Sequence, residues 1–451
     1  MGATESLAEH VVTSDWESFS EEVLEVARRI VLDGASVAIA GVYEDAARLV
    51  ARHVADMGGN PLSSVIGFGF KTSAPQAAYV NGVSMHVLDY EPMSHPPTHA
   101  TSTTLPVALA MAEWLGLAGR DVMAAIIVGF EVQGRIGMAG AHLTPDSLTF
   151  HPPGTLGIMG AAATAAKILG LDVERTRHAF GIAASRAGAL MANVGTMTKS
   201  NHCGNAARLG LEAALLARDG YTANPDVFEA RYGYGQCIFG GDFDTEALTK
   251  GFGRPYRMVE PGIAFKLFPS QYGTNYGIRA ALEVRKERGF EPRAIEHIDI
   301  ISPCMGYVDR PFPRTGLEGK SSFQYTVAAA LLDGEVNIDT FSDERRFASD
   351  MEDMLRKTSL EQRSEIPGSF RDMYVTVRLK FKDGRVVERT CEKLQGSWGK
   401  PLSSEEFLRK AEYCLTRKLS KQQAQRCISL GQCIDALPSE GVGEFIKILR
   451  G

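Results

Sequence analysis

Apolar side chains recur at three- and four-residue spacing through most of the first 260 or so positions, which commits this 451-residue chain to a mainly helical fold. Residues 18–34 show the pattern. Val23, Ala27, Ile30 and Val31 share one face, Glu21, Glu22, Glu25 and Arg28 fall on others, and Gly34-Ala35 is expected to end the unit. The same spacing predicts helices over 43–57, 75–90, 101–116, 119–138, 155–170, 173–190 and 203–219. Many are rich in Ala and Gly, as in Ala161-Ala162-Ala163-Thr164-Ala165-Ala166, so several should approach closely and be buried on most sides. No fixed period marks a repeat solenoid.

The texture changes near residue 260. Residues 296–302 alternate like a strand. Val375, Val377, Leu379 and Phe381 alternate with Tyr374, Thr376, Arg378 and Lys380, and Asp383-Gly384 then precedes Arg385 to Glu388. That pattern predicts a hairpin with a type I′ Asp-Gly turn. A helix over 322–333 ends near Gly334, and Ser403 with Glu406 forms a capping box for a helical remainder. The organisation read from this is a large helical domain over 1–262, an α+β insert over 263–400, and a helical tail over 401–451 that could rejoin the first part.

Composition limits the partners. Hydrophobic residues make up 44% and charged residues 23%, enough for a real core, and the net charge of −6 offers no basic stripe for nucleic acid or an anionic membrane. No signal peptide or transmembrane run is evident at this stage. The seven cysteines are dispersed, with no CxxC, which reads as reduced thiols in a cytoplasmic protein rather than a disulfide framework or zinc site.

Histidine is concentrated. Seven of the ten lie between residues 86 and 202: His86, His95, His99, His142, His151, His178 and His202. Three segments stand out. His86-Val-Leu-Asp89-Tyr-Glu91-Pro-Met-Ser-His95-Pro-Pro-Thr-His99 must form an extended or turned loop, because Pro fixes its own φ and biases the preceding residue away from helix. Phe150-His151-Pro-Pro-Gly154-Thr-Leu-Gly157 leads into an Ala-rich helix whose free N–H groups suit a carboxylate. Gly195 to Arg208 places Lys199, His202 and Arg208 near a helix start. Dinucleotide, phosphate-loop and GxSxG signatures are absent, and the carboxylate-rich spacing of metal motifs is missing around Asp89 and His95. Together these segments suggest a pocket of imidazoles and cations with no metal or cofactor.

At these segments the sequence resembles the MmgE/PrpD (2-methylcitrate dehydratase) family, which also includes cis-aconitate decarboxylase and iminodisuccinate epimerase. His86 to His99 looks like the family's H-x-L/M-D followed by a histidine-containing loop. His151 to Gly157 looks like its H-P-T-G-T-L-G, with Pro153 in place of Thr. Gly195 to Arg208 matches G-T-x-T-K-x-x-H-x-G-x-A-A-R without a break, and further elements appear at Lys266 to Pro269 and Tyr325 to Gly334. The resemblance implies a large all-helical domain plus a smaller α+β lid, a homodimer, a small di- or tricarboxylate substrate, and no metal or organic cofactor. The catalytic residues it implies are Asp89, His99, His151, Lys199 and Tyr325. Around them, His95, His202, Arg208, Lys266, Gln271 and Asn275 are expected to bind substrate.

On that basis Lys199 and Arg208 would hold a carboxylate, and His99 and His151 would act as general acid and base. Asp89 would orient an imidazole or act as a base, and Tyr325 would donate a proton from the lid side. The sequence departs from the family pattern at Glu91-Pro92, at Met93, and at Asn275, which stands where a His is common. An Asn can only hydrogen-bond near pH 7. A hydro-lyase acting on a methylcitrate-like substrate is the leading expectation. A dicarboxylate epimerase, a cis-aconitate-type decarboxylase and a non-enzymatic carboxylate-binding protein are the alternatives.

Overall fold

A computed structural model describes residues 2–140 and 147–451; His142 lies outside the described residues. The protein is mainly helical. At the centre of its first part, helix Ala74–His86 packs against Thr198–Arg218, flanked by Glu21–Gly41, Ala100–Leu115, Gly119–Ala139 and Ile158–Ile168. Small residues set the spacing. A Cβ at Gly82 would lie 2.9 Å from the Cα of Gly204, and one at Gly204 would overlap the Tyr79 carbonyl, so the two backbones touch where these glycines meet. Gly119–Ala139 is long and apolar enough to cross a membrane, yet 94% of its most apolar stretch is buried within the protein.

Several helix ends differ from the sequence expectation. The first long helix does not stop at Gly34 but runs to Gly41, because Gly34 makes room for Thr101 and Leu105 of the neighbouring helix. The helix expected over 75–90 ends at His86, where the Asp89 N–H turns back to the His86 carbonyl at 2.8 Å. Its neighbour in the core begins at Thr198 rather than 203, and the one expected to reach 190 stops at Ala184.

A second core surrounds a four-stranded sheet ordered Thr358–Arg363, Ile295–Pro303, Val375–Phe381, Val386–Cys391. The first pair is parallel and the others antiparallel. Helices Tyr272–Val284 and Phe323–Asp333 pack against each other and against this sheet. The hairpin turn is not type I′. Only Gly384 has positive φ (81°), and its N–H closes on the Phe381 carbonyl at 2.9 Å, so the glycine follows the turn rather than sitting at its centre.

The chain then returns to the helical part. Ser404–Leu415 is capped by Ser403 and Glu406, and Lys421–Gln432 and Ser439–Arg450 follow. Phe407, Leu415, Ile428, Phe445 and Leu449 share one core with Val31 and Ile39 of the first long helix.

Candidate active site

Helix ends converge on a cavity of about 430 Å³. His86 closes one helix, and His99 is the N-cap of Ala100–Leu115. His151 precedes a single π-helical turn, Pro153–Gly157. Lys199 lies in the first turn of Thr198–Arg218, and Gln271 caps Tyr272–Val284 by accepting from the Thr274 N–H at 3.1 Å. His99, Lys199 and Gln271 all line the cavity, so three helix N-termini, each the positive end of its dipole, border it.

Asp89 is the hub. Its φ of 51° is left-handed, a conformation that costs a non-glycine residue energy unless its surroundings hold it. Two ammonium groups supply that hold. Lys199 Nζ donates to Oδ2 at 2.7 Å, while Lys266 Nζ donates to Oδ1 and to the Asp89 carbonyl, the latter at 2.8 Å. Burial alone would raise the Asp89 pKa, but the two lysines overcome it and hold the carboxyl well below its usual range.

The same contacts set a tautomer. Lys199 Nζ lies 3.0 Å from His86 Nε2, and an ammonium can only donate, so Nε2 is the acceptor and the ring proton sits on Nδ1. That Nδ1–H donates to Glu91 Oε1. His99 Nδ1 lies 3.0 Å from the same oxygen, outside hydrogen-bond alignment. Burial would raise the Glu91 pKa, yet the facing imidazoles of His86 and His99 bring it well below the ordinary value. His151 Nδ1 faces His202 Nδ1 at 3.2 Å, so one of these rings donates and the other accepts.

Other expected residues take supporting places. His95 lines the cavity, edge-on to Trp398. Lys266 does not line it; it sits fully buried behind Asp89. His202 stands behind His151. Asn275 donates to Ser270 Oγ at 2.9 Å and the Gln271 carbonyl at 3.1 Å, bracing the Gln271 turn rather than facing substrate. Arg208 and Tyr325 are also placed away from the cavity lining. Arg208 lies 4.8 Å over the Tyr79 ring and bonds Asn205 Oδ1, outside the cavity lining. Tyr325 is enclosed in the sheet-side core with its hydroxyl donating to the Thr340 carbonyl, and it does not line this cavity.

Sequence reasoning left out His86 and Glu91, although both stand in the first motif. It also missed Tyr272 and Tyr307, which line the cavity from the sheet-bearing segment; Gln271 Nε2 donates to the Tyr307 hydroxyl at 2.8 Å. Ligand atoms of His86, His99 and His151, and of Asp89, Glu91 and His99, lie close enough to hold a metal ion. Both His86 nitrogens and both Asp89 oxygens are already engaged, however, and two ammonium groups adjoin them.

The buried imidazoles have a cost that pH reveals. Burial holds His86 and His202 at about 4, against about 6.5 for a free imidazole, with Lys199 adding to the effect at both, and pushes His151 well down too. As pH falls from about 6.5 to 4, the unfolded chain takes up protons that the folded protein refuses. Stability should therefore fall across that window, by about 1.4 kcal/mol per pH unit for each such imidazole. The contribution of Asp89 and Glu91, whose folded values are depressed, is lost only at still lower pH. Urea unfolding at stepped pH measures this; a flat stability between pH 7 and 4.5 would contradict the neutral-histidine cluster.

Residues 5–246 match the MmgE/PrpD N-terminal domain and residues 268–436 the MmgE/PrpD C-terminal domain. The chain is 32% identical to cis-aconitate decarboxylase of Mus musculus, covering 99% of this chain and 93% of that protein. It is also 32% identical to that of Homo sapiens, over 99% and 94%, and 30% identical to that of Aspergillus terreus, over 89% and 86%. With both family domains matched in order across most of its length, the chain belongs to the MmgE/PrpD family.

Proposed function

We propose that this protein is a cofactor-independent carboxy-lyase acting on an unsaturated tricarboxylate of the cis-aconitate type. The observation that carries this reading is the end-to-end likeness to two mammalian cis-aconitate decarboxylases. It favours decarboxylation over the dehydration that the motifs put first. The site supports a polyanionic substrate, since Lys199 and three helix N-termini border the cavity.

The chemistry asks little of the protein beyond charge and one proton. The bond from the CH₂ carbon to its carboxylate breaks, and CO₂ leaves. The freed pair forms a new terminal double bond, and the old double-bond pair takes a proton at the CH carbon beside the second carboxylate. Lys199 and the helix N-termini would hold the retained carboxylates and stabilise the charge that develops. His99 lines the cavity with the Glu91 carboxylate 3.0 Å from its Nδ1, and it would be the proton donor. The neutral His151, backed by His202, would accept a hydrogen bond or orient the substrate. Asp89 keeps Lys199 aimed. The sheet-bearing segment, which contributes Gln271, Tyr272, Tyr307 and Phe370, would serve as a lid.

The test is turnover in deuterium oxide with cis-aconitate and, separately, 2-methylcitrate. The expected result is CO₂ release from cis-aconitate, with one deuterium in the saturated methylene beside the second carboxylate and none in the terminal =CH₂, seen by NMR. An alkene formed from 2-methylcitrate without CO₂ would overturn the proposal in favour of the hydro-lyase.

A further inference from the structure

Three lysines are at least nine-tenths buried among the described residues, and one of them lacks a counter-ion. Lys266 pairs with Asp89 and Lys410 with Asp33. Lys320, only 4% exposed, pairs with no carboxylate among the described residues. Its ammonium makes one long hydrogen bond, to the Pro269 carbonyl at 3.4 Å, and lies 4.4 Å from the centre of the Phe341 ring. A ring face replaces part of what water would give an ammonium, but it leaves N–H groups without an acceptor. A buried charge in that position is costly unless an opposite charge joins it.

A chamber of about 30 Å³ lies against this residue. Asp89 and Lys199 line both it and the main cavity, and Lys320 and Ser321 line it from the sheet-bearing part. Two further lining residues, Thr196 and Met197, are exposed, which gives an ion access without passing through the main cavity. The ionic groups that act on Lys320 are the carboxylates of Glu44 and Asp89 and the ammonium groups of Lys199 and Lys266. Asp89 is already held by both of those lysines, and no ion pair joins Glu44 to Lys320. The Lys320 charge is the one left over. Helix Thr198–Arg218 points the positive end of its dipole the same way. Its Lys199 and Ser200 N–H groups already bond the Thr196 and Met197 carbonyls at 3.1 and 3.2 Å, so side chains would have to carry a ligand here.

We infer that this chamber binds a small monovalent anion, held by the Lys320 ammonium and drawn by the charge of Lys199. Size limits the occupant. One water needs at least ~10–15 Å³ of such space, so there is room for a halide or a planar one-carbon oxyanion and none for a tricarboxylate. The ion would join the two cores, because Lys199 belongs to the helical part and Lys320 to the sheet-bearing part. The site is separate from the proposed reaction and does not depend on it.

The experiment is thermal unfolding of the full chain at one pH and constant sodium, with gluconate replaced stepwise by chloride, formate or hydrogencarbonate. Gluconate is too large for the chamber. The expected result is a Tm that climbs by a constant step for each tenfold rise in the small anion above its Kd, as linkage requires of a ligand bound only by the folded state. In Lys320→Met the climb should vanish, and in gluconate the variant should unfold at or above the native Tm because the unpaired charge is gone. A climb that persists in Lys320→Met puts the anion elsewhere and overturns the inference. A native Tm indifferent to the choice of anion overturns it too. If the variant does not fold, crystals of the native protein soaked in bromide or formate decide the matter. Density for either ion beside Lys320 Nζ upholds the site, and none with both overturns it. A larger step with hydrogencarbonate than with chloride identifies the occupant as hydrated CO₂, and the reverse identifies a halide.

Discussion

Lys199→Met is expected to lower kcat/KM for decarboxylation by roughly 10²–10³-fold, the loss typical when one preorganised donor is removed from a developing anion. The substitution keeps the unbranched side chain to within one atom of its length and removes its charge. Lys199 is the ammonium that lines the cavity, whereas Lys266 is spent on Asp89 and the backbone behind it. The fold should survive, because Lys266 still neutralises Asp89. Steady-state CO₂ release, with a thermal-unfolding control, gives the answer. Activity within tenfold of the native protein, in a folded variant, would remove Lys199 from the chemistry.

The largest effect on stability is expected at a residue that lines no part of the cavity. Lys410, on helix Ser404–Leu415, pairs with Asp33 at 2.8 Å, and both side chains are buried. Its ammonium also donates to the Tyr90 carbonyl at 2.8 Å and lies 4.1 Å from the centre of the Tyr90 ring. Burial already pushes the Asp33 carboxyl upward, with Lys410 opposing the shift. Lys410→Met would leave that carboxylate without its partner, at a cost of about 3–5 kcal/mol, whereas adding Asp33→Leu should recover most of the loss. Urea unfolding of the single and double variants measures both. A single variant that loses under 1 kcal/mol would contradict the account. The double variant should still turn over slowly, since the Tyr90 carbonyl, flanked by Asp89 and Glu91, has lost its donor.

Much of this site can be read from the sequence because its groups sit within continuous motifs. His99, His151 and Lys199 each stand beside a helix start, and a helix start has local marks. What escaped depends on contacts between motifs. Glu91 reads as a departure from a family pattern, and only the fold shows it beneath both His86 and His99. Tyr325 lies in a matching motif, but its helix turns the hydroxyl toward Thr340. The strand Thr358–Arg363 went unread because its side chains are half-buried and do not alternate, so it carries no period-two signal. Gly34 reads as a stop, since the side chains that crowd it come from another helix.

The return of the chain to its first core bears on the order in which the protein is made. The sheet-side core draws on residues from Met93 to Trp398, nearly all of them beyond Ala264. The helical core needs Leu449, and the Gly67 and Gly69 N–H groups close on the Leu449 and Arg450 carbonyls at 2.8 and 3.0 Å. During synthesis, at ~5–20 residues per second, the sheet-bearing part can therefore consolidate while the helical segment made before it still waits with an open seam. Lys410, which grips the turn between Asp89 and Glu91, emerges more than three hundred residues after that turn. The nascent chain thus carries the histidines that border the cavity well before it can hold them in place.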